Sequence, residues 1–141
     1  MSTEQSKSVI RRFGELVNAG DLDGAFALCT GDFVDHGLPP GTPPGAESSR
    51  QFLKAQYAAF PDLHATVLDL FAEGDRVASR MELEGTHQGP MMGIPPTGKH
   101  AKWGFISLHR IADGKIAEHW VVSDTMGLMQ QLGLIPPPRT T

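Results

Sequence analysis

The chain predicts an α+β domain in which helices cover one face of an antiparallel sheet. Two observations carry this. Helical periodicity is concentrated in the first 60 residues, whereas period-two runs dominate afterwards. Those runs follow one another across short turns and do not alternate with helices, so a βαβ order is excluded. At 141 residues the chain is expected to form one domain, residues 1–141, with an ordered core over about 8–134.

Val9, Phe13, Leu16 and Val17 recur at helical spacing, with Arg11, Arg12 and Glu15 left for the wet face. Asn18-Ala19-Gly20 ends this helix, and Asp21 stands where it can cap a short second one carrying Leu22, Ala25, Phe26 and Leu28. Gly31 breaks it, and Asp32-Phe33-Val34-Asp35-His36 reads as a short strand. Leu38 to Gly45 holds four prolines and two glycines and is therefore a loop. Glu47 to Phe60 is a further helix, with Phe52, Ala55, Gln56 and Ala59 along one side, stopped by Pro61.

From here the period changes. His64–Ala72 and Arg76–His87 are strands joined around Glu73-Gly74-Asp75. Gln88–Gly98, rich in Gly, Pro and Met, is a loop. His100–Ile111 and Lys115–Ser123 are strands joined by Asp113-Gly114, the strongest hairpin signal in the chain. A short helix over Thr125–Leu132 ends at Gly133, and Ile135-Pro136-Pro137-Pro138 is a tail.

Charge and composition narrow the function. With 12 Lys and Arg against 16 Asp and Glu, the net charge is −4 and the basic residues are scattered. Neither a nucleic acid nor an anionic membrane surface finds a basic footprint here. No apolar run is long enough for a membrane span, and the first residues lack a secretory apolar core, so a cytoplasmic protein is expected. Cys29 is alone, which excludes an internal disulfide and a cysteine-rich zinc site. The six histidines form no HxH or HExxH pattern, so no metal site is expected.

The Asp113-Gly114 turn also places side chains. If Ala112 faces Lys115 and the ladder runs on unbroken, Trp103 faces Asp124, Phe105 faces Val122, Ser107 faces Trp120 and His109 faces Glu118. Paired residues share a face. One face then carries Trp103, Phe105, Trp120 and Val122 with Asp124 at its end; the other carries Ile106, Leu108, His119 and Val121. A carboxyl beside Trp and Phe loses hydration, which favours its protonated form and suits it to proton transfer near neutral pH. Asp124 equally stands where a cap for the final helix belongs. One oxygen can cap while the other faces a cavity.

Asp113-Gly114-Lys115-Ile116-Ala117-Glu118-His119-Trp120, then Asp124, then Gly127-Leu128-Met129-Gln130-Gln131-Leu132-Gly133 resembles the SnoaL-like polyketide cyclase and ester cyclase family. Phe60-Pro61-Asp62, Gly85-Thr86-His87-Gln88-Gly89 and Gly93-Ile94-Pro95-Pro96-Thr97-Gly98-Lys99 agree, in the right order, so the resemblance covers roughly residues 8–134. It implies a curved sheet wrapped by helices into a cone, the nuclear-transport-factor-like fold, in homo-oligomers. It also implies cofactor-free intramolecular aldol ring closure, with Asp124 as the acid/base. Ionised Asp124 would take a proton from carbon beside a carbonyl, and the enolate would attack a second carbonyl of the same molecule.

Substrate-binding residues are expected on the walls of an internal pocket: Trp103, Trp120 and Phe105 as an aromatic wall for a flat apolar substrate, Phe52 from the helix above, and His87 and His36 as polar donors. The plainer readings are core aromatics, a loop-edge His36 and a turn-stabilising His87. His119 is expected on the outer face. His109 shares the face of Asp124 but lies six residues from Trp103, roughly 20 Å along the strand. The apolar outer face of Ile106, Leu108 and Val121 suggests a sheet-to-sheet dimer. Two other functions stay open: an epoxide-hydrolase-type enzyme, which needs a second Asp and an Arg near Asp124, and a non-catalytic binding module for an apolar metabolite.

Overall fold

A computed structural model describes residues 1–137; Pro138, the last proline of the tail, lies outside them. The chain begins with α1 (Thr3–Asn18), started by a reciprocal cap in which Ser2 Oγ accepts the Gln5 N–H and Gln5 Oε1 accepts the Ser2 N–H. Asp21 caps α2 (Leu22–Phe26), as its position predicted. Then come β1 (Cys29–Asp35), α3 (Ala46–Ala59), β2 (His64–Glu73), β3 (Arg76–Thr86), β4 (His100–Ala112), β5 (Lys115–Ser123) and α4 (Thr125–Gln131). No helix among the described residues is long and apolar enough to cross a membrane.

The five strands form one curved sheet in the order β1-β5-β4-β3-β2. Strands β2 to β5 pair antiparallel in sequence, as expected. Strand β1 departs from the expectation: it lies parallel to β5, so the sheet is mixed. No tight turn links these two strands, and the long connection between them leaves either direction free.

The main correction is one of register. Ala112 faces Lys115 and Ile111 faces Ile116, as the turn predicts, but Arg110 then faces Glu118 and His109 faces His119. Ala117 is an extra residue in β5, a bulge that turns every side chain beyond it to the other face. Phe105 therefore faces Ser123, Ser107 faces Val121 and Leu108 faces Trp120. His119 and Val121 point inward, while Trp120 and Val122 share the outer face with Ile106 and Leu108.

The inner face is layered. At one end Ile10, Phe33, Val77, Ile111 and Ile116 form an apolar cluster beneath α1. At the other end Phe60, Leu63, Ala101, Trp103, Leu128 and Leu132 form a second. Between them the ladder brings polar residues to the same face: Ser79 beside Ser107 and His109 beside His119, with Asp35 next to His119 across the parallel pair.

Candidate active site

Asp35, the last residue of β1, is the hub of this polar belt, with only 10% of its side chain exposed. Its Oδ2 accepts a hydrogen bond from Ser49 Oγ at 2.6 Å, and its Oδ1 accepts the Gly37 N–H at 2.8 Å. His119 Nδ1 lies 3.0 Å from the same Oδ1. Gly37 passes so close over Val121 that a Cβ at this position would strike the valine side chain, so glycine permits the turn that feeds its N–H to Asp35. Burial alone would raise the Asp35 carboxyl. The bond and charge of His119, with the bonds from Ser49 and Gly37, outweigh that and hold it below the usual carboxylate range.

An ionised carboxylate only accepts, so Nδ1 of His119 carries a proton toward Asp35, and in the neutral ring Nε2 presents the lone pair. Ser107 Oγ stands 3.1 Å from that nitrogen. His109 stacks on His119 with ring centroids 5.0 Å apart and 23° between planes, and its Nδ1 faces the Val77 carbonyl at 3.4 Å. Burial, and then the neighbouring His119, push His109 down to about 3, so it stays neutral at ordinary pH. The arrangement is a carboxylate–imidazole–hydroxyl chain on one side of a neutral imidazole plate. Of these groups His119, 24% exposed at its side chain, is the most open.

Phe105 and Val121 lie half-buried on the same inner face. A cleft of ≈ 330 Å³ lies between Leu38, Pro39 and Thr42 of the β1–α3 loop and Glu47, Ser48, Gln51 and Phe52 of α3, and no residue of the polar belt lines it. Among the described residues no three His, Cys, Asp or Glu side chains converge as metal ligands would.

The residues expected from sequence do not gather in one place. Asp124 is exposed; its Oδ1 accepts the Gly127 N–H at 2.9 Å and so caps α4. The bulge removes it from the face of Trp103, and with that the desolvation that the unbroken register implied. Among the described residues it makes no ion pair with an arginine. Trp103 is buried in the second apolar cluster, its ring 5.2 Å from Phe60. Phe105 does face inward.

Trp120 and His36 lie on the outer side of the sheet, not in the interior. Their rings stack 4.9 Å apart, Arg76 covers Trp120 at 5.0 Å, and His36 Nε2 pairs with Glu118 at 2.8 Å. His36 follows the outward alternation of Val34, which pairs with Glu118. Phe52 is 40% exposed, because the stripe that α3 turns inward runs through Ser49, Leu53, Gln56 and Phe60. His87 is fully buried beside Phe60, with Nδ1 accepting the Thr97 N–H at 3.2 Å. Its partner strand position, Lys99, is ten residues from His109, roughly 33 Å of extended strand, so His87 is remote from the Asp35–His119 pair.

Asp35, Ser49, Ser107 and His119 escaped the sequence reading. One signal was available: Ile116-Ala117 places two small or apolar residues in succession and interrupts strict alternation, which is how a bulge reads in sequence.

The family model for SnoaL-like polyketide cyclases matches residues 7–132. Aklanonic acid methyl ester cyclase DnrD of Streptomyces peucetius is 29% identical over 128 residues, spanning 89% of this chain and 88% of that protein. Among solved structures, AclR from Streptomyces galilaeus superposes with a TM-score of 0.87 at 31% identity, covering 98% of this chain and 87% of its own. IdmH from Streptomyces antibioticus gives 0.82 at 37% identity, covering 92% and 99%.

Proposed function

The chain belongs to the SnoaL-like polyketide cyclase family, and on that footing we propose that it closes a ring in an apolar carbonyl substrate by cofactor-free acid/base chemistry, with His119 and Asp35 as the proton-transfer pair. The observation that carries the reading is the buried 3.0 Å contact between Asp35 Oδ1 and His119 Nδ1. His119 takes a proton from carbon beside a carbonyl and becomes an imidazolium facing the Asp35 carboxylate. The enolate attacks a second carbonyl of the same molecule, and the imidazolium returns the proton to the new alkoxide. Holding both carbonyl groups in one pocket converts orientation into rate. Phe105 and Val121 supply an apolar wall beside the reacting atoms.

The resemblance itself supports a second assignment, Asp124, whose Oδ1 alone is taken by the helix cap. Asparagine caps a helix as well as aspartate does, so Asp124→Asn removes the carboxylate chemistry and spares the fold. The test uses aklanonic acid methyl ester, the compound in the name of the DnrD relative, with wild type, His119→Gln and Asp124→Asn compared for turnover. Loss in His119→Gln with retention in Asp124→Asn supports the pair. The reverse pattern assigns the step to Asp124. Binding without turnover by the wild type leaves the carrier reading and overturns this one.

Copies of the chain pair through the outer sheet face in this proposal. Ile106 and Val122 are 57% and 78% exposed there, beside Leu108 and Trp120, an apolar area that a second sheet would cover.

A further inference from the structure

We propose that Ser107 is the atom through which His119 exchanges protons with the substrate, so that the transfer runs over two hydrogen bonds instead of one. The inference rests on the His119–Asp35 reading and refines it. Both ring nitrogens of His119 are already engaged: Nδ1 with Asp35 at 3.0 Å and Nε2 with Ser107 Oγ at 3.1 Å. One ring face is occupied by His109. The Ser107 hydroxyl therefore stands on the line along which a proton reaches the Nε2 lone pair. The hydroxyl that blocks Nε2 is also the group best placed to carry a proton to it, because a serine donates one hydrogen while keeping two lone pairs to accept another.

The remaining contacts favour this use of the hydroxyl. Ser107 sits on the inner face opposite Val121 and Ser79, with Phe105 two residues along the same face. Ser107 is itself buried, held between the proposed substrate wall on one side and His119 on the other. Ser49 performs a different task, since its Oγ is spent on Asp35.

The substrate C–H bond breaks and its proton forms an O–H bond on Ser107 Oγ, while the former Ser107 proton forms an N–H bond at His119 Nε2. The C–H electron pair stays with the substrate as the enolate, and the positive charge rests on His119 beside the Asp35 carboxylate. Once the carbon–carbon bond has formed, the alkoxide takes the Ser107 proton and Ser107 recovers one from Nε2. No oxidant, metal or second substrate is consumed.

The test is Ser107→Ala in the full chain, with aklanonic acid methyl ester as probe and circular dichroism to confirm folding. The relay predicts a fall in kcat of roughly 10²- to 10⁴-fold, the range of positioned acid/base groups, with KM little changed. It also predicts partial recovery in Ser107→Thr, which restores a hydroxyl. If the hydroxyl merely obstructs Nε2, Ser107→Ala holds or raises kcat, and the relay is overturned while the His119–Asp35 reading stands. If His119→Gln retains full turnover, or the wild type has none, the underlying reading fails and the relay with it. A Ser107→Ala protein that does not fold is replaced by Ser107→Gly, for which the relay requires the same loss of kcat.

Discussion

Replacing Asp35 by Asn removes a charge and almost nothing else. The amide oxygen can take the place of Oδ1, accepting from Gly37 and His119, while the amide nitrogen turns to Ser49 Oγ, which can accept as readily as it donates. Fold and imidazole tautomer are therefore preserved, and what is lost is the attraction between a carboxylate and the imidazolium that the proposed step would form. At the 3.0 Å separation seen here that attraction is about 1.4 kcal/mol in a water-like medium and about 5.5 kcal/mol at an effective dielectric constant near 20. Expressed fully in the transition state, these bounds correspond to a fall in rate of about tenfold to about 10⁴-fold. The assay is kcat for aklanonic acid methyl ester across pH, with thermal unfolding as a check on the fold. The expected result is a loss of kcat within those bounds. A folded Asp35→Asn protein with kcat within about threefold of wild type lies below even the water limit and would refute the reasoning.

Stability should follow the same carboxylate. Because the Asp35 carboxyl lies below its ordinary value in the folded protein, its contribution is fully present above the unfolded value of about 3.9 and lost as pH falls through the lower folded value. Urea unfolding of wild type and Asp35→Asn should therefore show a stability gap at pH 6 that narrows as the pH falls below 4. Asp124→Ala, which removes the α4 cap, should cost about 1 kcal/mol of stability, and Asp124→Asn close to nothing. Trp103→Ala should cost about 3–5 kcal/mol, as a buried ring against Phe60 must. Val122→Lys, on the outer face, should halve the mass seen by light scattering at micromolar concentration; an unchanged mass would exclude pairing through this face.

The sequence makes most of the fold legible because its signals are local. The Asp21 cap, the Asp113-Gly114 turn and the change of period after Pro61 each depend on a few adjacent residues, and the structure carries the corresponding elements at or near those positions. The interior site was less legible because it depends on a single unpaired residue. Ala117 occupies a full place in β5 with no partner in β4, and one such place reverses His119, Trp120, Val121 and Val122 together. The parallel placement of β1 hides the rest: Asp35 reaches His119 from 84 residues away, a contact that no turn or periodicity encodes. Aromatic residues misled for a related reason. Trp120 and His36 are half-covered by each other and by Arg76 outside the sheet, so their size announced burial without saying on which side.

In the proposed mechanism the proton moves at His119, backed by Asp35, in a cone shared with polyketide cyclases. The most direct measurement compares kcat of His119→Gln and Asp124→Asn with wild type on aklanonic acid methyl ester at pH 7. Proton transfer at His119 predicts a loss of roughly 100-fold or more in the first and a change within about threefold in the second, whose cap asparagine maintains. Full activity in His119→Gln together with loss in Asp124→Asn would contradict it.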